Sequence, residues 1–309
     1  MRGLRGRSLG LACAGIATVT SVVGTSCSST RSTSTTAGAR LEVVAAENTW
    51  GSIAAQLGGD RARVRSLITN PHTDPHDYEP TPADGRAVAG ARYVIVNGVG
   101  YDAWASKMVD ANPRPGRRVL DVGALVGVKA GANPHRWYSP PDVHAVVERI
   151  TSDYKRLDAA DAAYFDRKKT AFDTALAGYT SLIADIRSRY ARTPVGASES
   201  IVSPLAEALD LDLRTPAAFL AAISEGSEPT AADKTTVDAQ IRTRQIKVYV
   251  FNSQNATPDV RAQVDAARAA GIPVVAVTET LTPANASFQS WQVTQLRALQ
   301  AALATGTRR

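Results

Sequence analysis

Two histidines and two glutamates carry most of the chemistry this sequence offers. His76 lies in Asp74-Pro75-His76-Asp77-Tyr78-Glu79-Pro80, one imidazole between two prolines and among three carboxylates. Such an imidazole can ligate a metal, but Pro and Asp also gather in ordinary surface turns, and taken alone the loop reads as a turn. His135 occupies a second proline-flanked loop, Asn133-Pro134-His135-Arg136-Trp137-Tyr138. Glu199 and Glu279 each follow a short apolar run, Val195-Gly196-Ala197 and Val274-Val275-Ala276-Val277 respectively. Singly, each glutamate reads as a solvated loop carboxylate. Together, two imidazoles and two carboxylates are a donor inventory suited to a divalent transition metal. Asn252, directly after Lys247-Val248-Tyr249-Val250-Phe251, reads either as an outer donor that orients a ligand or as a plain turn residue. His144 reads as a helix-surface residue, and His72 is the one spare histidine near a candidate ligand.

These residues need elements to bring them together. Leu41 to Ala46, Val64 to Ile68, Tyr93 to Asn97 and Val119-Leu120 read as strands, separated by helical stretches over Trp50–Leu57, Thr81–Ala91 and Ala103–Val109. A helix that Asp142 can cap follows the His135 loop. From Asp161 to Tyr190 there is no proline, and Phe172, Leu176, Tyr179, Ile183, Ile186 and Tyr190 recur at spacings of three and four. That stripe predicts one helix of roughly 45 Å, long enough to span a whole domain. After Pro194 the alternation resumes, with strands at Val195–Ala197, Lys247–Phe251 and Val274–Val277, helices through Leu205–Leu209 and Asp259–Ala269, and a closing helix from Trp291 to Leu303.

The predicted fold class is α/β: two lobes, each with a mainly parallel sheet flanked by helices, bridged by one long rigid helix. Ligands of such sheets bind beyond the carboxyl ends of strands. His76, Glu199, Asn252 and Glu279 all fall there, with His135 in the loop leading out of the first lobe. The first lobe thus offers the imidazoles and the second the carboxylates. No short-period internal repeat is visible.

The chain has 309 residues and a net charge of +6. Arg2, Arg5 and Arg7 precede an apolar run from Leu9 to Val23, the pattern of a secretory leader rather than a spanning helix. Those arginines account for three of the six positive charges, so the mature chain is only weakly basic, and no nucleic-acid footprint is visible. Cys13 and Cys27 are the only cysteines, and with Cys13 inside the leader no disulfide framework is available to the mature chain. Cys27 follows Gly24-Thr25-Ser26, which resembles a lipobox except that Gly24 stands where leucine is usual. The organisation predicted is a leader over 1–27, a flexible tether over 28–40, a first lobe over 41–160, a linking helix over 161–190 and a second lobe over 191–309. The Ser/Thr-rich tether buries no core.

The set Asp74-Pro75-His76-Asp77-Tyr78-Glu79-Pro80-Thr81-Pro82, Asn133-Pro134-His135-Arg136-Trp137, Glu228-Pro229-Thr230 and Val277-Thr278-Glu279-Thr280-Leu281 resembles the zinc/manganese-type solute-binding lipoproteins of bacterial ABC importers. The resemblance runs in order along nearly the whole mature chain. It implies two α/β lobes joined by a rigid helix, one metal in the cleft, no enzymatic activity, a monomer, delivery of the ion to an ABC permease, and a lipid anchor at Cys27 on the outer face of the cell membrane. It also implies His76, His135 and Glu279 as ligands, and it places Glu199 where zinc-selective members commonly carry a third histidine. That departure, with the absence of a His-rich loop between the first two ligands, is similar to the manganese-type pattern. Carboxylate oxygen suits manganese, whereas zinc binds most such sites more tightly, so the expected cargo is manganese or zinc, then iron. The acids beside His76 are expected to support it rather than to ligate. Two other readings compete: a secreted metallohydrolase, which needs an open coordination position and a separate base, and a surface adhesin.

Overall fold

The computed structural model describes residues 40–71 and 75–308. The leader with Cys27, the tether up to residue 39, His72, Asp74 and the side chain of Asp77 lie outside the described residues. The first lobe runs β1 (Leu41–Glu47), α1 (Asn48–Gly58), β2 (Ala62–Ile68), α2 (Pro82–Gly90), β3 (Tyr93–Val96), α3 (Ala103–Ala111), β4 (Arg118–Asp121), α4 (Val122–Val126) and α5 (Pro140–Leu157). Helix α6 (Ala162–Tyr190) follows. The second lobe runs β5 (Pro194–Ala197), α7 (Ser203–Ala208), β6 (Asp212–Leu213), α8 (Ala217–Ser224), α9 (Ala231–Arg242), β7 (Val248–Asn252), α10 (Pro258–Ala269), β8 (Val274–Val277) and α11 (Phe288–Thr307).

Each sheet has four strands, ordered β2-β1-β3-β4 and β6-β5-β7-β8, and every pairing in both is parallel. The two lobes therefore share one topology, although their sequences show no visible repeat. In each, the chain crosses first to one side of the opening strand and then to the other. The order reverses between β1 and β3, and again between β5 and β7, which leaves a crevice beyond the strand ends at each point.

Buried parallel strands need apolar side chains on both faces. In β1, Val43 and Ala45 join the large core under α1 and α5, while Val44 and Ala46 join a smaller core on the opposite face with Val88 and Ala105. The large core continues through α6 into the second lobe. Phe165, Phe172, Tyr179 and Ile186, seven residues apart, are buried along one side of α6. That side packs on α1 and α5 of one lobe and on α11 of the other. At about 1.5 Å per residue the helix is roughly 44 Å long. Each buried aromatic contributes about 1.5–3 kcal/mol relative to an exposed one, so the strut is anchored at both ends.

Several local features differ from the sequence expectation. Helix α5 begins ahead of Asp142: its N-cap position is Ser139, whose side chain makes no capping hydrogen bond, and Pro140 and Pro141 open the first turn. Asp142 sits in that turn, where the helix dipole favours a carboxylate, and its Oδ2 accepts a 2.7 Å hydrogen bond from Arg136 Nε. Elements α4, β6, α8 and α9 have no counterpart among the elements expected from sequence. Strand β6 is only two residues long, and α8 (Ala217–Ser224) is almost uniformly apolar and shows no helical stripe.

Candidate metal centre

Each candidate donor is held by a short, well-braced segment. His76 is in the 3₁₀ turn Pro75–Asp77, and its side chain is 23% exposed. His135 immediately precedes the 3₁₀ turn Arg136–Tyr138 and is fully buried. Its Nδ1 lies 2.9 Å from Asn133 Oδ1, which also accepts the His135 backbone N–H at 3.0 Å. An amide oxygen can only accept, so Nδ1 carries the proton and Nε2 keeps its lone pair for an ion. Asn133 is itself tied across the cleft, its Nδ2 donating to the Ser200 carbonyl at 2.6 Å. Asn97 at the end of β3 donates to the Pro134 carbonyl at 2.9 Å and accepts from Trp50 Nε1 at 3.0 Å.

Glu279 follows β8 and is buried. Gln254 fixes its backbone, with Oε1 accepting the N–H groups of Glu279 at 2.6 Å and Thr280 at 3.0 Å. Glu279 Oε2 is the point on which the cleft converges. His76 Nε2 and His135 Nε2 are each 3.6 Å from it, and the Tyr101 hydroxyl donates to it at 2.5 Å. One donor atom each from His76, His135 and Glu279 can be chosen so that all lie within 4.8 Å of one another. An ion at the middle of such a triangle reaches all three at ordinary metal–ligand lengths of about 2.0–2.2 Å after small side-chain adjustment. The elements that carry them come from both lobes.

Glu199 lies outside this three-donor group. It follows β5, is fully buried, and accepts from Asn252 Nδ2 at 2.8 Å and from Asn255 Nδ2 at 2.9 Å. Asn252, the last residue of β7, also donates through the same nitrogen to Glu279 Oε1 at 2.7 Å. One amide thus bridges both carboxylates. Its Oδ1 accepts the Gln254 N–H at 2.9 Å, which fixes which end of the amide faces the acids. Burial pushes the His135 imidazole below its usual range, so it is neutral at pH 7. Burial pushes the Glu279 carboxyl up, but its contacts with His135, then His76 and the Tyr101 hydroxyl, outweigh it and hold the group below the usual carboxylate range. A neutral imidazole beside an ionised carboxylate is the protonation state that metal ligation requires.

Of the other residues named from sequence, His144 is 70% exposed on α5 with its Nε2 3.7 Å from Glu148 Oε1, and Glu79 is exposed. Sequence reasoning did not pick out Tyr101, Asn133, Gln254 or Asn255. Tyr101 had a readable signal, because it follows the apolar strand β3 as Glu199 follows β5. It is presented by a tight turn in which Asp102 accepts the N–H groups of Asn97 at 2.6 Å and Gly98 at 2.8 Å. Gly98 has φ +71°, and a Cβ there would come within 2.2 Å of the Asp121 carboxylate.

A family model described as zinc-uptake complex component A, periplasmic, matches residues 43–302. The iron-binding protein YfeA of Yersinia pestis is 30% identical over 148 residues, 46% of this chain and 46% of its own length. The metal ABC transporter substrate-binding lipoprotein ScbA of Streptococcus cristatus is 24% identical over 251 residues, 75% of this chain and 78% of its own. Among solved structures, the Mn-bound periplasmic metal binding protein from Candidatus Liberibacter asiaticus superposes with a TM-score of 0.69 at 17% identity, covering 85% of this chain and 100% of that one. That likeness extends the two-lobe fold to a solved example.

Proposed function

We propose, from the premise that this chain belongs to the periplasmic zinc-uptake component A family, that it captures one divalent transition-metal ion between its lobes and hands it to the permease of an ABC importer. The observation that carries this reading is the convergence of His76, His135 and Glu279 from two lobes onto one small volume. Glu279 and Glu199 are buried carboxylates, and a buried anion needs a counter-charge, which a divalent cation supplies. Glu199 enters as the fourth donor, made available when the ion takes over the compensation that Asn252 and Asn255 otherwise provide. Asn252 is the positioning residue for both acids.

The donor set mixes imidazole nitrogen with carboxylate oxygen, which both manganese and zinc accept, as does iron. Zinc binds such sites more tightly than manganese, so supply as well as geometry selects the cargo. In this reading the chain is a monomeric, non-enzymatic carrier, organised as leader, tether, two lobes and linking helix with the boundaries given above. It is lipidated at Cys27 and held on the outer face of the cell membrane. The metallohydrolase and adhesin readings gain no support from the family. Metal content and calorimetry on the mature chain test the proposal. One tightly bound ion is expected per chain, with affinity reduced at least 100-fold by His76→Ala and by His135→Ala. Absence of stoichiometric binding, or indifference to both substitutions, refutes it.

A further inference from the structure

The metal donors follow the carboxyl ends of the strands, and the opposite end of the first sheet is crowded with arginine. Arg40 precedes β1, Arg63 and Arg65 lie in β2, Arg86 is in α2, Arg92 precedes β3, and Arg114 and Arg117 precede β4. The register sets Arg63 beside Glu42 and Arg65 beside Val44, so both arginines share the face of the sheet that α2 covers. There Arg63, Arg65 and Arg86 line one groove of about 560 Å³, with Glu42 as the one carboxylate in its wall. Gly90, at the end of α2, also lines it, and its carbonyl accepts from Arg114. Arg117 Nη2 donates to the Val88 carbonyl at 2.8 Å in the same helix end.

Local structure accounts for only part of this charge. Arg65 pairs with the buried Asp84, and Arg114 and Arg117 offset the end of α2, where the helix dipole favours cations. Arg40, Arg63, Arg86 and Arg92 are exposed, and their side chains form no ion pair or hydrogen bond among the described residues. The crowding is costly: burial and then the charge of Arg114 push the Arg117 guanidinium below its ordinary range. An anion laid against this surface relieves the repulsion. The second lobe has a comparable group at the amino ends of its strands, Arg192, Arg244, Lys247 and Arg308. Its three arginines, with φ of +63°, +54° and +55°, stand just beyond α6, α9 and α11. That is the left-handed conformation in which helices end, and the helix ends account for their charge.

The spread of the first-lobe arginines selects the partner. At about 4.8 Å between strands the group spans roughly 14 Å from β2 to β4, too wide for one phosphate and matched to an array of them. The guanidinium fork takes phosphate oxygens two at a time. The chain also enters the fold here: Arg40 follows Cys27 by thirteen residues, so a lipid on that cysteine lies within about 45 Å of Arg40. We propose that the amino end of the first sheet is a docking surface for the phosphate headgroups of an anionic phospholipid membrane, with Arg40, Arg63, Arg86 and Arg92 as its contacts. This surface and the metal donors stand at opposite ends of the strands, so both can be engaged at once. The contact adds to the lipid anchor at Cys27 and does not depend on it, nor on the metal-capture reading.

Flotation of the mature chain, carrying no lipid, tests this with vesicles of phosphatidylcholine alone and with about 30% phosphatidylglycerol added. Binding is expected only to the anionic vesicles, because each arginine at such a surface strengthens partitioning about fivefold. Arg63→Glu with Arg86→Glu is expected to weaken it at least about twentyfold, with an unchanged far-ultraviolet circular dichroism spectrum to show that the fold persists. Arg192→Glu with Lys247→Glu makes the same change of net charge at the second lobe and is expected to weaken it by less than about threefold. The inference is overturned if the chain ignores the anionic vesicles or binds the neutral ones equally. It is also overturned if the first-lobe variant binds like the wild type, or if the second-lobe variant loses as much, since net charge rather than this surface then attracts the chain.

Discussion

Asn252→Ala removes the single amide that faces both carboxylates, and its cost can be worked from the contacts. Asn252 Nδ2 is 2.8 Å from Glu199 Oε1 and 2.7 Å from Glu279 Oε1, and both acids are at most 1% exposed. Hydrogen bonds to charged groups contribute about 1.5–3 kcal/mol each when removal leaves the partner buried. Losing two therefore costs about 3–6 kcal/mol, a large part of a typical total stability of about 5–15 kcal/mol. A bound divalent cation compensates the same carboxylates, so the loss should be smaller once metal is present. By linkage, metal then stabilises the variant more than the wild type at equal free metal concentration. Urea unfolding of the mature chain, chelator-treated and metal-saturated, measures both terms. A metal-free loss under about 1 kcal/mol, well below the range for a hydrogen bond to a charged group, or equal losses with and without metal, refutes the bridging role of Asn252.

Two further substitutions probe the site and its surroundings. Glu199→His is expected to shift the ratio of zinc to manganese affinity toward zinc by at least tenfold, since it replaces an oxygen donor by imidazole; competition titration that shows no shift, or the reverse, removes Glu199 from the ligand set. Glu47, at the end of β1, is a buried carboxyl whose oxygens accept no hydrogen bond among the described residues. Burial, and then the charge of nearby Asp102, push it well above the usual carboxylate range. A raised folded-state value means that its contribution to stability is fully present below the unfolded value and is lost as pH rises through the folded one. Glu47→Gln, which cannot ionise, should therefore raise the melting temperature more at pH 8 than at pH 5, and thermal melts across that range would show a flatter profile; an unchanged profile would remove Glu47 as its source.

Much of the architecture was legible in the sequence because buried parallel strands are continuous apolar runs and α6 carries a clear helical stripe. Phe172, Tyr179, Ile186 and Tyr190 were readable as one face because helical periodicity is a local property. Elements α8 and β6 were not readable, because a uniformly apolar octapeptide and a two-residue strand have no period to detect. The shared strand order of the two lobes was also hidden, since topology persists through packing while the side chains that fill it differ.

For the metal centre, sequence alone determined the candidates: His76, His135, Glu199 and Glu279 stand in loops beyond the apolar runs or at the exit from the first lobe, where chain-local rules place ligands of parallel sheets. The tertiary structure decided how they divide. It brings Glu279, with the Tyr101 hydroxyl on its Oε2, to both imidazoles, and it holds Glu199 on Asn252 and Asn255 instead. Residues more than a hundred positions apart meet only through the packing of two lobes on α6, and the differences of a few ångströms that separate a donor from its neighbour are set by that packing. The pocket lined by His76, Gly100, Gly131 and Ala221 is of the same kind: glycines and alanines are visible in the sequence, but the space beside them exists only between folded walls.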